Sequence, residues 1–248
     1  MRRTDPGGHP AESGNGLFAE WTRSARPGVP VSSRRAIITQ IREAIISGQI
    51  PAGQQLKQDE LSALFGVSPA PVRETLRQLE SEGLVEHFPN RGVFVVGVSD
   101  EEALRVLLPI RLLLETFAAH QVVSRLDDEL IEELQRQIEV MDAGADTGDI
   151  AMLNEADARF HELLVEASGS PHTIQLWRSV LPRIRLQFYR LVPRHPDLHD
   201  VTREHQTLLE VLRGGDPVAI DDELRVHIVE TSAALILQHQ NDSTNEGS

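Results

Sequence analysis

Asp157 and His161 stand four residues apart in LNEADARFHELL, so on a helix both project from one side. A carboxylate and an imidazole at that spacing are either two metal ligands offered by one helix or an ordinary surface ion pair. Asn154 lies on the same face one turn earlier. The metal reading needs further donors from neighbouring helices, converging inside a bundle. His205 and His227 are the candidates, because each has apolar residues about one turn away: Leu208 and Leu209 for the first, Leu224 and Val229 for the second. Cysteine is absent from the 248 residues, which excludes disulfides, thiolate metal sites and cysteine nucleophiles.

A second set of residues has the chemistry of a nucleic-acid contact. Arg73 and Arg77 lie off the stripe formed by Val72, Leu76 and Leu79, so a helix there buries the stripe and turns its arginines outward. Ser68 is a suitable N-cap, and Pro69 and Pro71 fit the first turn, where their missing N–H groups have no helical partner anyway. Small residues at that start allow close approach to a DNA backbone. The alternative is a small helical core whose arginines are only solvated.

The elements that must position these residues follow from periodicity and punctuation. Residues 1–32 are rich in Gly, Pro and Ser without a period, so a disordered arm is expected, with a similar tail at 239–248. Ile37, Ile38, Ile41, Ile45 and Ile46 predict a helix over Ser33–Ser47. A short helix over Gln58–Phe65 stops at Gly66, and the arginine-bearing helix runs from Ser68 to Gly83. The β-branched runs 84–88 and 92–96, joined by Pro89-Asn90-Arg91, predict a hairpin. Three helices and a hairpin over 33–98 make a winged helix-turn-helix, with Arg91 and Gly92 at the wing tip offered to an adjacent groove.

From residue 99 to 238 only helical periods occur: Glu101–Ser124, Asp127–Ala143, Ile150–Ala167, Pro171–Val192, Asp200–Arg213 and Pro217–Gln238, with 144–148 as a loop. The fold class is therefore mainly α, a winged helix-turn-helix followed by an all-α bundle. Residues 1–98 hold 11 basic and 10 acidic groups, whereas 99–248 hold 13 and 28. The second part repels nucleic acid and the first does not. The longest unbroken apolar runs are short, as in Leu112–Leu114 and Ala233–Leu237, so no membrane-spanning helix is expected. The N-terminus has no apolar stretch behind its arginines, and a cytoplasmic protein is expected.

With these motifs assembled, the sequence resembles a known family. Gln40–Val98, with IREAIISGQIPAGQQL and DELSALFGVSPAPVRETLRQLESEGLVEHFPNRGVFV, is similar to the winged-helix domain of GntR-type bacterial repressors. The remainder resembles the FCD ligand-binding bundle of the FadR-like branch, through Asp157-Ala158-Arg159-Phe160-His161, Glu204-His205 before Gly215-Asp216, and His227. The resemblance implies a homodimeric transcription factor on a palindromic operator, with a small carboxylate as effector. It also implies a divalent metal on Asp157, His161, His205 and His227, a donor set that suits Zn first, or Ni or Mn. Ser68, Ala70, Pro71, Arg73, Arg91 and Gly92 are the implied DNA contacts. The family's usual Ser-Arg-Thr-Pro-Val-Arg-Glu stands here with Pro69 and Ala70 at its second and third positions, so an arginine that commonly reads guanine is missing.

The reading is thus an effector-responsive repressor that is not an enzyme. Arg111 is either an effector contact or a salt-bridge partner of Glu115 at i+4, and Asn154 is a second candidate effector contact. Two other functions compete with it: a metal-dependent hydrolase, for which no separate general base is visible, and a metal-free acyl-CoA sensor, against which the histidine set argues.

Overall fold

The computed structural model describes residues 21–22 and 34–245, with side chains through 238. The chain divides into two compact units that part between Gly97 and Val98.

The first unit holds α1 (Arg34–Ile46), β1 (Gln55–Leu56), α2 (Gln58–Phe65), α3 (Pro69–Ser81), β2 (Val85–Phe88) and β3 (Gly92–Val95). The isoleucines of α1 meet Leu61, Phe65, Val72, Leu76, Leu79, Leu84 and Val95 in one core. Gly66 closes α2 at φ +65°, a left-handed conformation, and Val67 leads directly into α3. A bidentate pair, Arg42 Nε and Nη2 to the Glu82 carboxylate at 2.8 and 2.6 Å, ties α1 to the end of α3. The expected hairpin has a third strand: the sheet order is β1-β3-β2, antiparallel, with Leu56 opposite Val93 and Phe88 opposite Gly92. Two residues of β1 are too few for an alternating pattern to register.

Most of the arm expected over 1–32 lies outside the described residues. Trp21 and Thr22 are helical, and Trp21 corrects the expectation at that point. It is 6% exposed and its ring meets Phe65 edge-on at 6.3 Å. One large aromatic supplies enough apolar area to fix a polar segment locally.

The second unit is the expected bundle: α4 (Asp100–Glu102), α5 (Leu108–Val122), α6 (Asp128–Thr147), α7 (Ile150–Ala167), α8 (Pro171–Leu191), α9 (His199–Gly214), α10 (Pro217–Arg225) and α11 (Thr231–Asn245). Its main core joins Ala119, Leu134, Ile138, Met141, Leu153, Phe160, Leu164, Leu208, Leu209, Leu224 and Ile228. Two expected helices contain a wider turn. A π-turn over Ala103–Leu107 links α4 to α5, and another over Val226–Glu230 links α10 to α11. Pro109 accounts for the first, because it cannot donate to the Arg105 carbonyl and its ring crowds that group.

Three further boundaries differ from the sequence pattern. The segment 144–148 is helical through Thr147. Gly144 is there for clearance: a Cβ would meet Leu153 Cγ at 3.2 Å and Asp149 O at 3.3 Å, where the chain turns back into α7. The helix expected to end at Gln238 continues in the backbone to Asn245, in place of a disordered tail from 239. Its last residues include neither Gly nor Pro, and each added residue extends the ladder by one bond. The stretch Asp100–Arg125 is long and apolar enough by length and composition to cross a membrane, contrary to the reading from unbroken runs. An averaged hydropathy tolerates Arg111 and Glu115, which are buried against each other in the bundle.

Trp21→Ala is expected to cost the first unit about 3 kcal/mol. Amide exchange in the full chain should accelerate in α1 and α2 and stay unchanged in α6 and α7. Unchanged exchange in α1 and α2 would show that Trp21 contributes nothing to that core.

Candidate metal centre

The four sequence-derived ligands come together from three parts of the bundle. Asp157 and His161 stand on α7, His205 on α9 and His227 in the second π-turn, and all four are buried. One ligand atom from each lies within 4.8 Å of all the others. His161 Nε2 is 3.1 Å from His205 Nε2 and 3.2 Å from His227 Nε2. His205 Nε2 is 3.2 Å from Asp157 Oδ1. Donors that each sit roughly 2.1 Å from one cation must be about 3 Å apart, which these separations match.

The far sides of the rings fix which nitrogen faces inward. His205 Nδ1 lies 2.8 Å from the Val201 carbonyl, an acceptor, so Nδ1 carries the proton. His161 Nδ1 lies 2.6 Å from Glu115 Oε2, off the ideal hydrogen-bond line, and at that separation a proton must stand between them. Burial lowers the pKa of His161 against the pull of Glu115, which favours the neutral ring. The inward nitrogens of His161 and His205 therefore face one point beside a carboxylate. Imidazole nitrogens and a carboxylate oxygen converging in this way are the donors a divalent cation takes, so the residues fit a divalent metal.

The electrostatics agree. Burial alone would raise the Asp157 pKa, but the His205 hydrogen bond and the neighbouring His161, His205 and Arg111 charges hold it at about 2. Burial, reinforced by His205 and His161, lowers His227 well below its ordinary value. Asp157 is therefore ionised and His227 neutral at neutral pH, which are the forms that ligate. Behind His161 a chain continues: Glu115 accepts from Arg111 Nε at 2.7 Å, both side chains buried. Burial raises the Glu115 pKa, but His161 and Arg111 together outweigh it and the net shift is downward. A carboxylate behind a ligating imidazole fixes the ring and raises its basicity.

A cavity of about 560 Å³, open solvent included, adjoins the cluster. Arg111, Gln187, Glu204, His195, Asp157, His205 and His227 line it together with apolar residues such as Leu107, Ile184, Phe188 and Leu235. Arg111 is thus both things its spacing allowed, a partner of Glu115 and a cavity wall, and its buried Nη2 has no hydrogen-bond partner. Burial raises the pKa of Glu204 to about 7. Asn154 is corrected: it does not line the cavity. Its amide donates to the Arg185 carbonyl at 2.9 Å and accepts from Arg185 Nε at 2.7 Å, so it joins α7 to α8. Sequence reasoning missed Gln187 and gave Glu115 only its Arg111 pairing. A charged residue among the apolar positions of 107–122 was the signal for Glu115, whereas Gln187 offered none.

In the first unit, Ser68, Ala70, Arg73 and Arg91 are exposed and Pro71 and Gly92 half-buried. Ser68 occupies the N-cap position of α3, yet its side chain makes no capping bond. Pro71, at the third helical position, has no N–H to give it. Arg73, Arg77, Lys57, Gln55, His87 and Gly92 line a groove between α3 and the wing. Gln55 Nε2 donates to the Arg91 carbonyl at 2.6 Å, and the Arg91 guanidinium lies 5.8 and 5.7 Å from the Phe88 and Phe94 ring centres. Asn90, at φ +62°, and Gly92, at φ +101°, turn the chain at that tip.

Residues 106–230 match the FCD domain family, and residues 33–95 match the bacterial regulatory proteins of the gntR family. The gluconate operon transcriptional repressor of Bacillus licheniformis is 27% identical over 212 residues, covering 83% of this chain and 84% of that protein. The HTH-type transcriptional repressor RspR of Escherichia coli is 25% identical over 207 residues, covering 82% and 89%. Among solved structures, a GntR regulator from Rhodococcus sp. RHA1 aligns with a TM-score of 0.71 at 24% identity, over 83% of this chain and 98% of that one. E. coli McbR/YncC aligns at 0.69 with 20% identity, over 83% and 98%. At these identities the structures speak for the fold alone. The curated relatives are transcriptional regulators, not enzymes.

Purified protein should hold one divalent ion per chain, and His205→Ala with His227→Ala should abolish it, as read by elemental analysis. Glu115→Gln should keep the stoichiometry but weaken metal affinity by about 10–100-fold in a chelator competition. Equal affinity in Glu115→Gln would mean that Glu115 does not orient His161 for metal.

Proposed function

The chain belongs to the GntR family of bacterial regulatory proteins, a DNA-binding transcriptional regulator with an FCD domain after its winged helix, and from that premise we propose a metal-dependent repressor that senses a small carboxylate. It binds a palindromic operator as a homodimer, with Arg73 on base edges and Ser68, Ala70, Pro71, Arg91 and Gly92 at the backbone and adjacent groove. Asp157, His161, His205 and His227 hold the metal, with zinc suited first and nickel or manganese also suited. It acts on operator DNA in the cytoplasm.

One observation carries the effector reading: the donor cluster and the unpartnered Arg111 Nη2 line the same cavity. When bound, a divalent ion supplies a fixed positive charge for a carboxylate oxygen. Arg111 offers its free nitrogen to the second oxygen while Nε stays on Glu115. Gln187 Nε2, also buried without a partner, can donate to a further oxygen of the acid, and the apolar walls exclude water. The acid changes operator affinity only by binding one arrangement of the two DNA-binding heads more tightly than the other.

Arg73→Ala should weaken operator binding by about 1–3 kcal/mol, measured by fluorescence anisotropy at fixed salt. Binding at the wild-type level would remove the assignment of α3 to the groove. A screen of small carboxylic acids on metal-loaded protein should find one that changes operator affinity by roughly 5–150-fold. Arg111→Lys should lose most of that response. A full response from chelator-stripped, still-folded protein would exclude the metal from the sensor.

A further inference from the structure

The second unit is rich in acid, with 13 basic and 28 acidic groups over 99–248. An arginine there has carboxylates within reach, and those that are not fully exposed use them or a carbonyl. Arg111 pairs with Glu115, Arg159 with Glu162 and Glu166, Arg185 with Glu155 and Arg190 with Asp100, while Arg183 donates to the Ser179 carbonyl. Arg194 is the exception. It is half-buried, it has neither an acid nor an acceptor among the described residues, and its Nη1 is buried without a partner.

Arg194 ends the short turn Val192–Arg194 that follows α8, four residues after Arg190. Arg190 Nη2 donates to Asp100 at the start of α4, and its Nε is buried without a partner. Two guanidinium groups thus share one carboxylate, and each keeps a buried N–H unused. Burial and the Arg190 charge lower the Arg194 pKa against the pull of Asp100, so its surroundings work against its charge. The next acids are engaged elsewhere, Glu101 with Arg105 and Asp200 with Arg203. The end of a helix favours a cation, which accounts for Arg190 in the last turn of α8 but not for Arg194 beyond it. A half-buried cation in this state costs free energy that an anion would offset.

We infer that Arg190 and Arg194 form a second anion site, which takes a small oxyanion, a phosphate before a carboxylate. A guanidinium presents its N–H groups as a fork to two oxygens at once. A phosphate ester carries about −1.5 to −2 charge at pH 7, enough for both arginines, whereas a carboxylate carries a single charge. Neither arginine lines the cavity beside the donor cluster, so the site is separate and does not depend on the metal or effector reading. One stretch of chain still joins the two places, because Leu191 and Val192, which lie between the arginines in sequence, line that cavity.

Full-length, metal-loaded protein titrated with inorganic phosphate in a calorimeter should bind one phosphate per chain, and sodium chloride at matched ionic strength should give no such heat. Arg194→Gln should weaken phosphate by at least about 10-fold, the loss expected when a hydrogen bond between two charged groups is removed. Without phosphate its melting temperature should be no lower than that of the wild type, because the change removes a half-buried cation that has no partner. Acetate should bind more weakly than phosphate, and acetate that binds more tightly would overturn the preference for phosphate. Equal phosphate binding by the wild type and Arg194→Gln would place the ion at the donor cluster and overturn the site, as would heat that chloride reproduces. Loss of duplex-DNA affinity in Arg194→Gln, with no phosphate bound by the wild type, would make Arg194 a DNA contact instead. Should Arg194→Gln fail to fold, Arg194→Met, which keeps an apolar stem, is read by the same titration.

Discussion

Three imidazoles and a carboxylate converge on one buried point, where a positive charge between them would offset the cost of bringing them together. That constraint organises the bundle. Asp157 and His161 need one helix face, His205 and His227 must arrive from two other segments, and Glu115 must stand behind His161 from a fourth. Five polar groups at the centre of a domain cost more than any cap or surface pair returns, which argues for a role in binding over one in stability. The apolar packing around it, Phe160 edge-on to His205 at 4.9 Å for instance, holds the rings at a fixed spacing.

The helix α5 has two faces of different chemistry. Its inner side supplies Arg111 and Glu115 to the centre, while its outer side carries an exposed apolar stripe, Ile110, Leu113 and Phe117. A rigid helix cannot move one face without the other. A displacement of Arg111 or Glu115 at the centre is therefore carried to the outer stripe by the helix itself.

How much of this was legible in the sequence depends on the scale of the feature. The helices of the bundle and the three of the winged domain were visible, because periodicity and residue type report on which face is inward, whereas Asp157, His161, His205 and His227 stood out as one set only through the family resemblance. Features set by tertiary contact were not. Gly144 read as a breaker, although the close approach of Leu153 makes it a helical contact residue. Trp21 sat in a polar arm with no period to mark it as core. Asn154 shared a face with Asp157, but Arg185 claims its amide. Glu115 was seen only as a partner of Arg111, since nothing local says that a histidine 46 positions later will lie against its other oxygen.

The two π-turns have a consequence in chain length. Each holds one residue more than a regular α-turn would, and the second contains His227. A segment of this kind is an insertion that the helix has absorbed without breaking. Removing one residue from 226–230 would let α10 and α11 fuse into a continuous α-helix whose flanks keep their phase, because the wider turn has already taken up the extra residue. His227 stands inside the turn, whereas Leu235 and Ile236 lie beyond it in a core of their own. A single-residue deletion here should therefore spare that packing and act on the position of His227, so that the fold and the donor cluster are separable at this one point.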